Sequence, residues 1–470
     1  MTDLRTTNWP AVADLPGLYP HQRDRLAAAT ARRLGLLTGK PGTGKTHTLG
    51  VLVAAIVNKY GRESVAVAAP TGKAAVRITQ ALRKAGVESI TAKTIHSLLE
   101  IDRNGHDGDG WGFKRNERNP LDAKYIFIDE SSMLDTDLAA ALLGACGWGA
   151  HVLLTGDTYQ LPPVGHGCPL RDLTAAGVPN GELTEIHRNA GAIVRACHAI
   201  AAERPWTPAR VSDGERVYPG GIVPALNADG ITPDTNLWHF EESNEKRTAG
   251  IVEQLATAAA RVYGLENVAV LVPTHKGDLG RIALNARLQT AFNAAGEKAP
   301  GGSNPFRVGD PVICLRNGWH PDAVIPRTDH YLANGETGIV REVSDRAAVA
   351  TFTRPNREVK FNVSKTKPPD DANGDSDEDN GKGRTDFDLA YAITGHKSQG
   401  SEWPVVIVVA DGSAGARRVA SREWLYTALS RASVLCITVG KLSVVEQAAR
   451  RPALVRRRTF LRELMTEGIL

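Results

Sequence analysis

Apolar residues fall in short runs separated by amphipathic stretches. Leu34–Thr38, Ser64–Ala69, Tyr125–Ile128 and His151–Thr155 are such runs, each ending at a small or polar residue. Apolar on both faces, they predict parallel strands covered by helices on both sides of a sheet. Thr46–Val57 has the spacing of one such helix. The stretch from about 20 to 190 therefore reads as an α/β layer. A second layer is split along the chain, with strands at Val268–Pro273, Val405–Val409 and Val434–Val439. Helical patterns at Lys246–Val262 and Ala283–Ala295 lie between them.

Two segments break the alternation. Ile101–Leu121 is polar and Gly-rich, and Asn104-Gly105 and Asp109-Gly110 are turn signals, so it reads as a hairpin-like protrusion. Pro305–Asp388 contains strand-like Pro311–Leu315, Gly338–Val343 and Ala347–Thr353 with turns between, which predicts a small antiparallel barrel. Within it, Lys367–Arg384 is acidic, low in complexity and expected to be disordered. A calcium loop is disfavoured, because Asn380 stands where the sharp turn requires Gly and Asp386 replaces the final Glu.

A length of 470 residues allows several domains, and 42% hydrophobic with 23% charged residues is an ordinary globular balance. The net charge of +4 permits a nucleic-acid partner if the charge is clustered, without requiring one. The five cysteines are scattered and form no C-x-x-C pair, which argues against zinc, iron–sulfur or disulfide frameworks and fits a reducing cytoplasm. No apolar run reaches the length of a membrane span, and Met1–Trp9 has no signal core. A cytoplasmic protein without membrane contact is expected.

The chemistry starts at Gly39-Lys40-Pro41-Gly42-Thr43-Gly44-Lys45-Thr46, which matches G-x-x-x-x-G-K-[ST] between a buried strand and a helix. Its glycines let backbone N–H groups face phosphate oxygens. Lys45 is expected to neutralise the β/γ oxygens and Thr46 to ligate Mg²⁺. The Lys40 side chain is expected to point to solvent. The strand Ile126–Ile128 ends in Asp129-Glu130, where Asp129 suits Mg²⁺ and Glu130 suits general-base attack by water. Gln160, after a third strand, is placed to sense a γ-phosphate; alone it would read as a turn residue.

These residues together resemble the superfamily-1 helicases, within them the RecD-like 5′-to-3′ branch. The resemblance runs from about Tyr19 to Val439. Gln22 is similar to the family's adenine-reading Gln, and Ala69–Ala75 to the motif after the second strand. Thr94–Leu98 resembles a strand-contacting motif, and Leu183–Arg188 a motif whose Arg188 reaches the γ-phosphate. Ala392–Glu402 and Tyr426–Ala432 resemble the last two motifs, with Arg431 the second γ-phosphate arginine. Gly395 departs from the Val that often precedes this His396, and Arg204–Leu237 has no match.

The resemblance implies two RecA-like parallel-sheet P-loop domains, at 1–100 with 122–190 and at 191–304 with 389–470. It also implies a pin insert at 101–121 and an SH3-like β-barrel insert at 305–388 that carries the acidic loop 367–384. It implies a nucleotide site of Gln22, Gly42, Thr43, Gly44, Lys45, Thr46, His47, Gly400 and Glu402, with Glu130, Gln160, Arg188 and Arg431 in catalysis and Thr46 and Asp129 on the metal. ATP and Mg²⁺ are the implied cofactors. Pro70, Thr71, Lys73, Thr94 and His96 would contact a DNA strand from the first lobe, and Thr394, His396, Lys397 and Ser398 from the second. For Thr94 and Thr394 a helix cap or buried polar group is the plain alternative. Trp111 and Phe113 would stack at a duplex end, or form the protrusion's own core. The implied partners are single-stranded DNA, its junctions with duplex, and replication or recombination proteins. The implied motor is monomeric and unwinds duplex; a translocase or a motor subunit of a repair complex is the alternative.

Overall fold

The computed structural model describes Trp9 and residues 15–453 except 102–111, 187–190, 209, 214–230, 303, 317, 333, 353–355 and 364–385, together with Leu461 and Glu463. The acidic loop 367–384, Trp111 and Arg188 therefore lie outside the described residues.

The first sheet contains β1 (Leu34–Gly39), β2 (Val65–Ala69), β3 (Lys93–Thr94), β4 (Tyr125–Ile128), β5 (His151–Gly156) and β6 (Asn180–Leu183). Their order is β3-β2-β4-β5-β1-β6, with every pairing parallel. β4 and β5 are buried at every position, as their apolar runs require. The helices α1 (Pro20–Ala29), α2 (Lys45–Tyr60) and α3 (Gly72–Lys84) supply part of the cover. Leu49, Leu52, Val53 and Ile56 of α2 pack with Ile78 and Leu82 of α3 on one face. Leu98, Leu142, Leu170 and Leu173 cover the other. The β1, β4 and β5 ends are neighbours, so the loops after Gly39, Ile128 and Gly156 meet at the carboxyl edge of the sheet, where parallel α/β folds hold ligands.

The second sheet begins with β7 (Arg210–Asp213), β8 (Leu237–Glu241) and β9 (Val268–Val272). The chain leaves it for β10 (Pro311–Cys314), β11 (Gly318–Pro321), β12 (Asp329–Leu332), β13 (Thr337–Val343), β14 (Ala347–Phe352), β15 (Arg357–Asn362) and β16 (Phe387–Leu389). It returns as β17 (Ala392–Thr394), β18 (Trp403–Ala410) and β19 (Ala432–Gly440). The completed sheet is parallel, in the order β17-β9-β18-β19-β8-β7. Both lobes are RecA-like α/β layers. The interposed strands form a five-stranded antiparallel sheet, β15-β14-β13-β10-β16, and a two-stranded ribbon, β11-β12. Phe306, Phe352, Phe361 and Phe387 fill this insert and continue into the second lobe's core. The segment 204–237, unmatched in sequence, contributes the edge strand β7.

Insert and lobe are joined at Asp310, which is fully buried. Its two oxygens accept from Gln289 Nε2, Asn293 Nδ2, the Arg307 amide and Tyr391 Oη. Asp310→Ala takes this acceptor from the Arg307 amide and Tyr391 Oη, and leaves Gln289 Nε2 and Asn293 Nδ2 with only Pro305 O and Val308 O. It should lower unfolding stability by about 3 kcal/mol or more in urea denaturation, and Tyr391→Phe by about 1 kcal/mol.

Candidate active site

The loop after β1 curls through Gly42 and Gly44, at φ of +82° and +85°, a conformation that side chains resist. Gly44 is the N-cap of α2, and no side chain caps that end. The first-turn amides and the helix dipole are thus left facing the concavity, which is the geometry of an anion nest. The Lys45 ammonium stands over the nest, donating to Gly39 O at 2.6 Å and Lys40 O at 3.2 Å. Thr43 is buried, and its hydroxyl donates to Lys40 O at 2.8 Å. Gln22 is buried beneath, with Nε2 3.5 Å from Thr43 O and Oε1 accepting from the Tyr19 amide at 3.3 Å. Thr46 is half-buried, whereas His47 is exposed, with Nε2 3.0 Å from Gly17 O. The Lys40 side chain does not point to solvent as expected. Its ammonium lies 5.0 Å from the Tyr159 ring centroid. The reason is strand order: β5 lies beside β1, so the loop after β5 flanks the phosphate loop.

Asp129 is buried at the end of β4, where Oδ1 accepts from Thr155 Oγ1 at 2.6 Å and from the Glu130 amide at 3.0 Å. Burial, and then the charge of Glu130, push its carboxyl above the usual range. A divalent cation would relieve both effects, so Asp129 and the Thr46 hydroxyl fit a Mg²⁺ whose other ligands are phosphate and water. Among the described residues, no group of three or more His, Cys, Asp or Glu is placed to cage a metal. Glu130 sits at φ +54°, a left-handed conformation uncommon outside glycine.

The second lobe closes the site. Arg431 is buried, and its donors reach Thr427 O at 3.2 Å, Ser401 O at 3.2 Å and Gln160 Oε1 at 2.8 Å. The last of these crosses the cleft. Tyr426 donates to Asp157 at 2.6 Å, the Leu161 amide to Thr427 Oγ1 at 2.8 Å, and Gln399 Nε2 to Leu161 O at 2.9 Å. Burial raises the Asp157 carboxyl, while Lys45 and the Tyr426 hydroxyl oppose the shift. Glu402 pairs with Arg77 of α3 at 2.7 Å, and Arg77 also lies 3.9 Å from Glu130. The sequence reading gave Asp157 and Tyr426 no role of their own and did not name Arg77. No spacing marks Arg77; only the adjacency of β2 and β4 brings α3 beside Glu130.

The expected strand contacts divide into several settings. Half-buried Pro70 precedes Thr71, whose hydroxyl caps α3 by accepting from the Ala74 amide at 3.3 Å. Lys73 lies 5.1 Å from the Trp403 ring, across the cleft, and burial lowers its ammonium to about 8 against the pull of Glu336. Thr94 caps the helix Ile95–Leu99, accepting from the Ser97 amide at 3.1 Å. The His96 ring lies 5.9 Å from Phe113, which bridges to Ile101 and packs against the first lobe's core. In the second lobe Thr394 is buried, and the buried Ser398 hydroxyl donates to Gly395 O at 2.7 Å. His396 is half-buried beside them. Lys397 donates to Leu315 O at 3.0 Å and to Asn334 Oδ1, which ties this turn to the insert, and burial lowers its ammonium to about 8.

Residues 17–218 match the family model described as an AAA domain, and residues 389–439 match that of a UvrD-like helicase C-terminal domain. The chain is 31% identical over 452 residues to the ATP-dependent RecD2 DNA helicase of Deinococcus radiodurans, covering 95% of this chain and 52% of that protein. It is similar to the RecD-like superfamily-1 helicases. The RecBCD enzyme subunit RecD of Mycobacterium tuberculosis is 28% identical over 488 residues, covering 96% of this chain and 75% of that one. The RecD-like chain described here thus spans about half the length of the Deinococcus relative. A solved Bacteroides Pif1 helicase, in complex with ADP-AlF3 and ssDNA, aligns over 92% of this chain and 94% of that one, at 21% identity and a TM-score of 0.47.

Gly400 marks how tightly the lobes meet. It has φ +71°, and a Cβ built there would lie 2.5 Å from Thr71 Oγ1 of the opposite lobe. Gly400→Ala should cost about 1–2 kcal/mol from the left-handed backbone alone. A double-mutant cycle with Thr71→Ala, read by urea denaturation, should show a favourable coupling on the order of 1 kcal/mol as the clash is relieved.

Proposed function

We propose that the chain is an ATP-dependent DNA helicase that moves along single-stranded DNA, in the 5′-to-3′ direction its family implies. The observation that supports this most is Arg431, buried in the second lobe and bonded across the cleft to Gln160 beside the phosphate loop. ATP would lie on the nest, with Gln22 at the adenine, and with Thr43, His47, Gly400 and Glu402 around the nucleotide. Mg²⁺ held by Thr46 and Asp129 would supply charge neutralisation at the β/γ oxygens. Glu130 takes a proton from the attacking water, and Gln160 orients the γ-phosphoryl region. Lys45 contributes charge from one lobe, Arg431 from the other, and Arg188 from the junction. A site completed from two sides is fast only when the lobes are together, so hydrolysis and product release alternate closure and opening.

On this reading, the strand crosses both lobes through Pro70, Thr71, Lys73, Thr94 and His96, then Thr394, His396, Lys397 and Ser398. Hydroxyls and backbone amides hold phosphates without reading bases, so sequence preference is weak and binding falls with salt. Trp111 and Phe113 act as the pin at a junction. A second reading, a motor subunit of a recombination complex with little unwinding alone, is favoured by the relatives named as RecBCD subunits. Forked-duplex unwinding by the chain alone separates the two, because the subunit reading predicts inert behaviour without its partners, while Trp111→Ala with Phe113→Ala tests the pin.

Lys45→Ala should abolish ATP hydrolysis and unwinding while sparing strand binding, and unwinding that persists refutes the assignment. Arg431→Ala should lower kcat on the order of 10³-fold in a steady-state assay. A duplex carrying a single 5′ or 3′ tail reads out the direction of travel.

A further inference from the structure

Helix α3 carries two cations on one face, Lys73 and, one turn later, Arg77. Both meet adjacent residues of the second lobe. Lys73 lies over the Trp403 ring, and Arg77 Nη2 pairs with Glu402 Oε2 at 2.7 Å. The other arm, Nη1, lies 3.9 Å from Glu130 Oε1. One guanidinium thus spans the carboxylate assigned as general base and a carboxylate of the opposite lobe. The planar fork of arginine can hold two carboxylates at once, which the point charge of lysine cannot.

The Arg77 side chain keeps 43% of its surface exposed, so these pairs are screened and contribute little to folding stability. What they do supply is geometry. Glu130 is held from several directions: its backbone is left-handed, its amide is bonded to Asp129, and its carboxylate faces Arg77. Of these, the Arg77 contact depends on where the second lobe stands, because its other arm is on Glu402.

We propose that Arg77 is a positioning residue that aligns Glu130 only when Glu402 is engaged across the cleft, and so links grip on a strand to hydrolysis. Pro70 and the N-cap Thr71 lead into α3 and Lys73 lies in its first turn, so a strand held there acts on the same helix. This rests on the proposed ATP-driven motor function.

The test is steady-state ATP hydrolysis by the full chain, with and without oligo-dT, for wild type, R77Q, E402Q, the double variant and R77K. Thermal unfolding confirms that each variant is folded. Arg77→Gln should lower the strand-stimulated kcat at least about tenfold and shrink the ratio of stimulated to basal rate. KM for ATP should stay within about twofold. The double variant should be no slower than the slower single variant, because one linkage has been cut twice. R77K should recover only part of the loss. Additive losses in the double variant, an unchanged stimulation ratio in R77Q, or full activity in R77K would each overturn the proposal. A wild type without strand-stimulated hydrolysis overturns the motor function itself, whereas a stimulated wild type with an indifferent R77Q overturns only the linkage.

Discussion

A guanidinium buried between two sheets sets the terms for the rest of the molecule. Arg431 keeps its charge in a dry place, which is costly unless its donors are used. Its donors are shared between lobes: Thr427 O and Ser401 O on its own side, and Gln160 Oε1 on the other. Separating the lobes strips one partner from a buried charge, so the cleft favours being closed or hydrated over any intermediate gap. Asp157 with Tyr426, and Leu161 with Thr427 and Gln399, repeat the arrangement beside it. The loop after β5 is therefore the hinge point of the chemistry. It touches the phosphate loop through Tyr159, which faces Lys40, and the second lobe through Asp157, Gln160 and Leu161.

Much of this frame was legible in the chain. β1, β2, β4 and β5 stand where apolar runs end in small or polar residues, because a strand covered on both faces has little choice of composition. The edge strands β3, β6 and β7 were not legible. They are two to four residues long, and their polar residues are those of loops. The phosphate loop and Asp129-Glu130 carry chemistry at fixed spacing, and Arg431 was named through the family resemblance. Arg77 and Tyr426 depend on which strands are neighbours, which spacing does not encode. Lys40 was misplaced for the same reason. Gly395, the departure from the family's usual Val, has a physical cause in the fold. A Cβ there would lie 2.4 Å from Trp424 Nε1.

The insert is part of this machinery. Lys397, in the motif that would carry the strand, is held by Leu315 O and Asn334, so the turn Gly395–Ser398 is tied to the insert. Gly72, at the start of α3, packs against Glu336, which is itself paired with Arg357. The insert thus touches Gly72 of the first lobe and Lys397 of the second.

A nucleotide site in two halves, joined when the lobes grip a strand, makes hydrolysis depend on that strand. The most direct measurement is the steady-state rate of ATP hydrolysis by the intact chain, titrated with single-stranded DNA at low and high salt. The rate should rise and saturate with strand, at strand concentrations that increase with salt. A rate that is the same with and without strand would contradict that dependence.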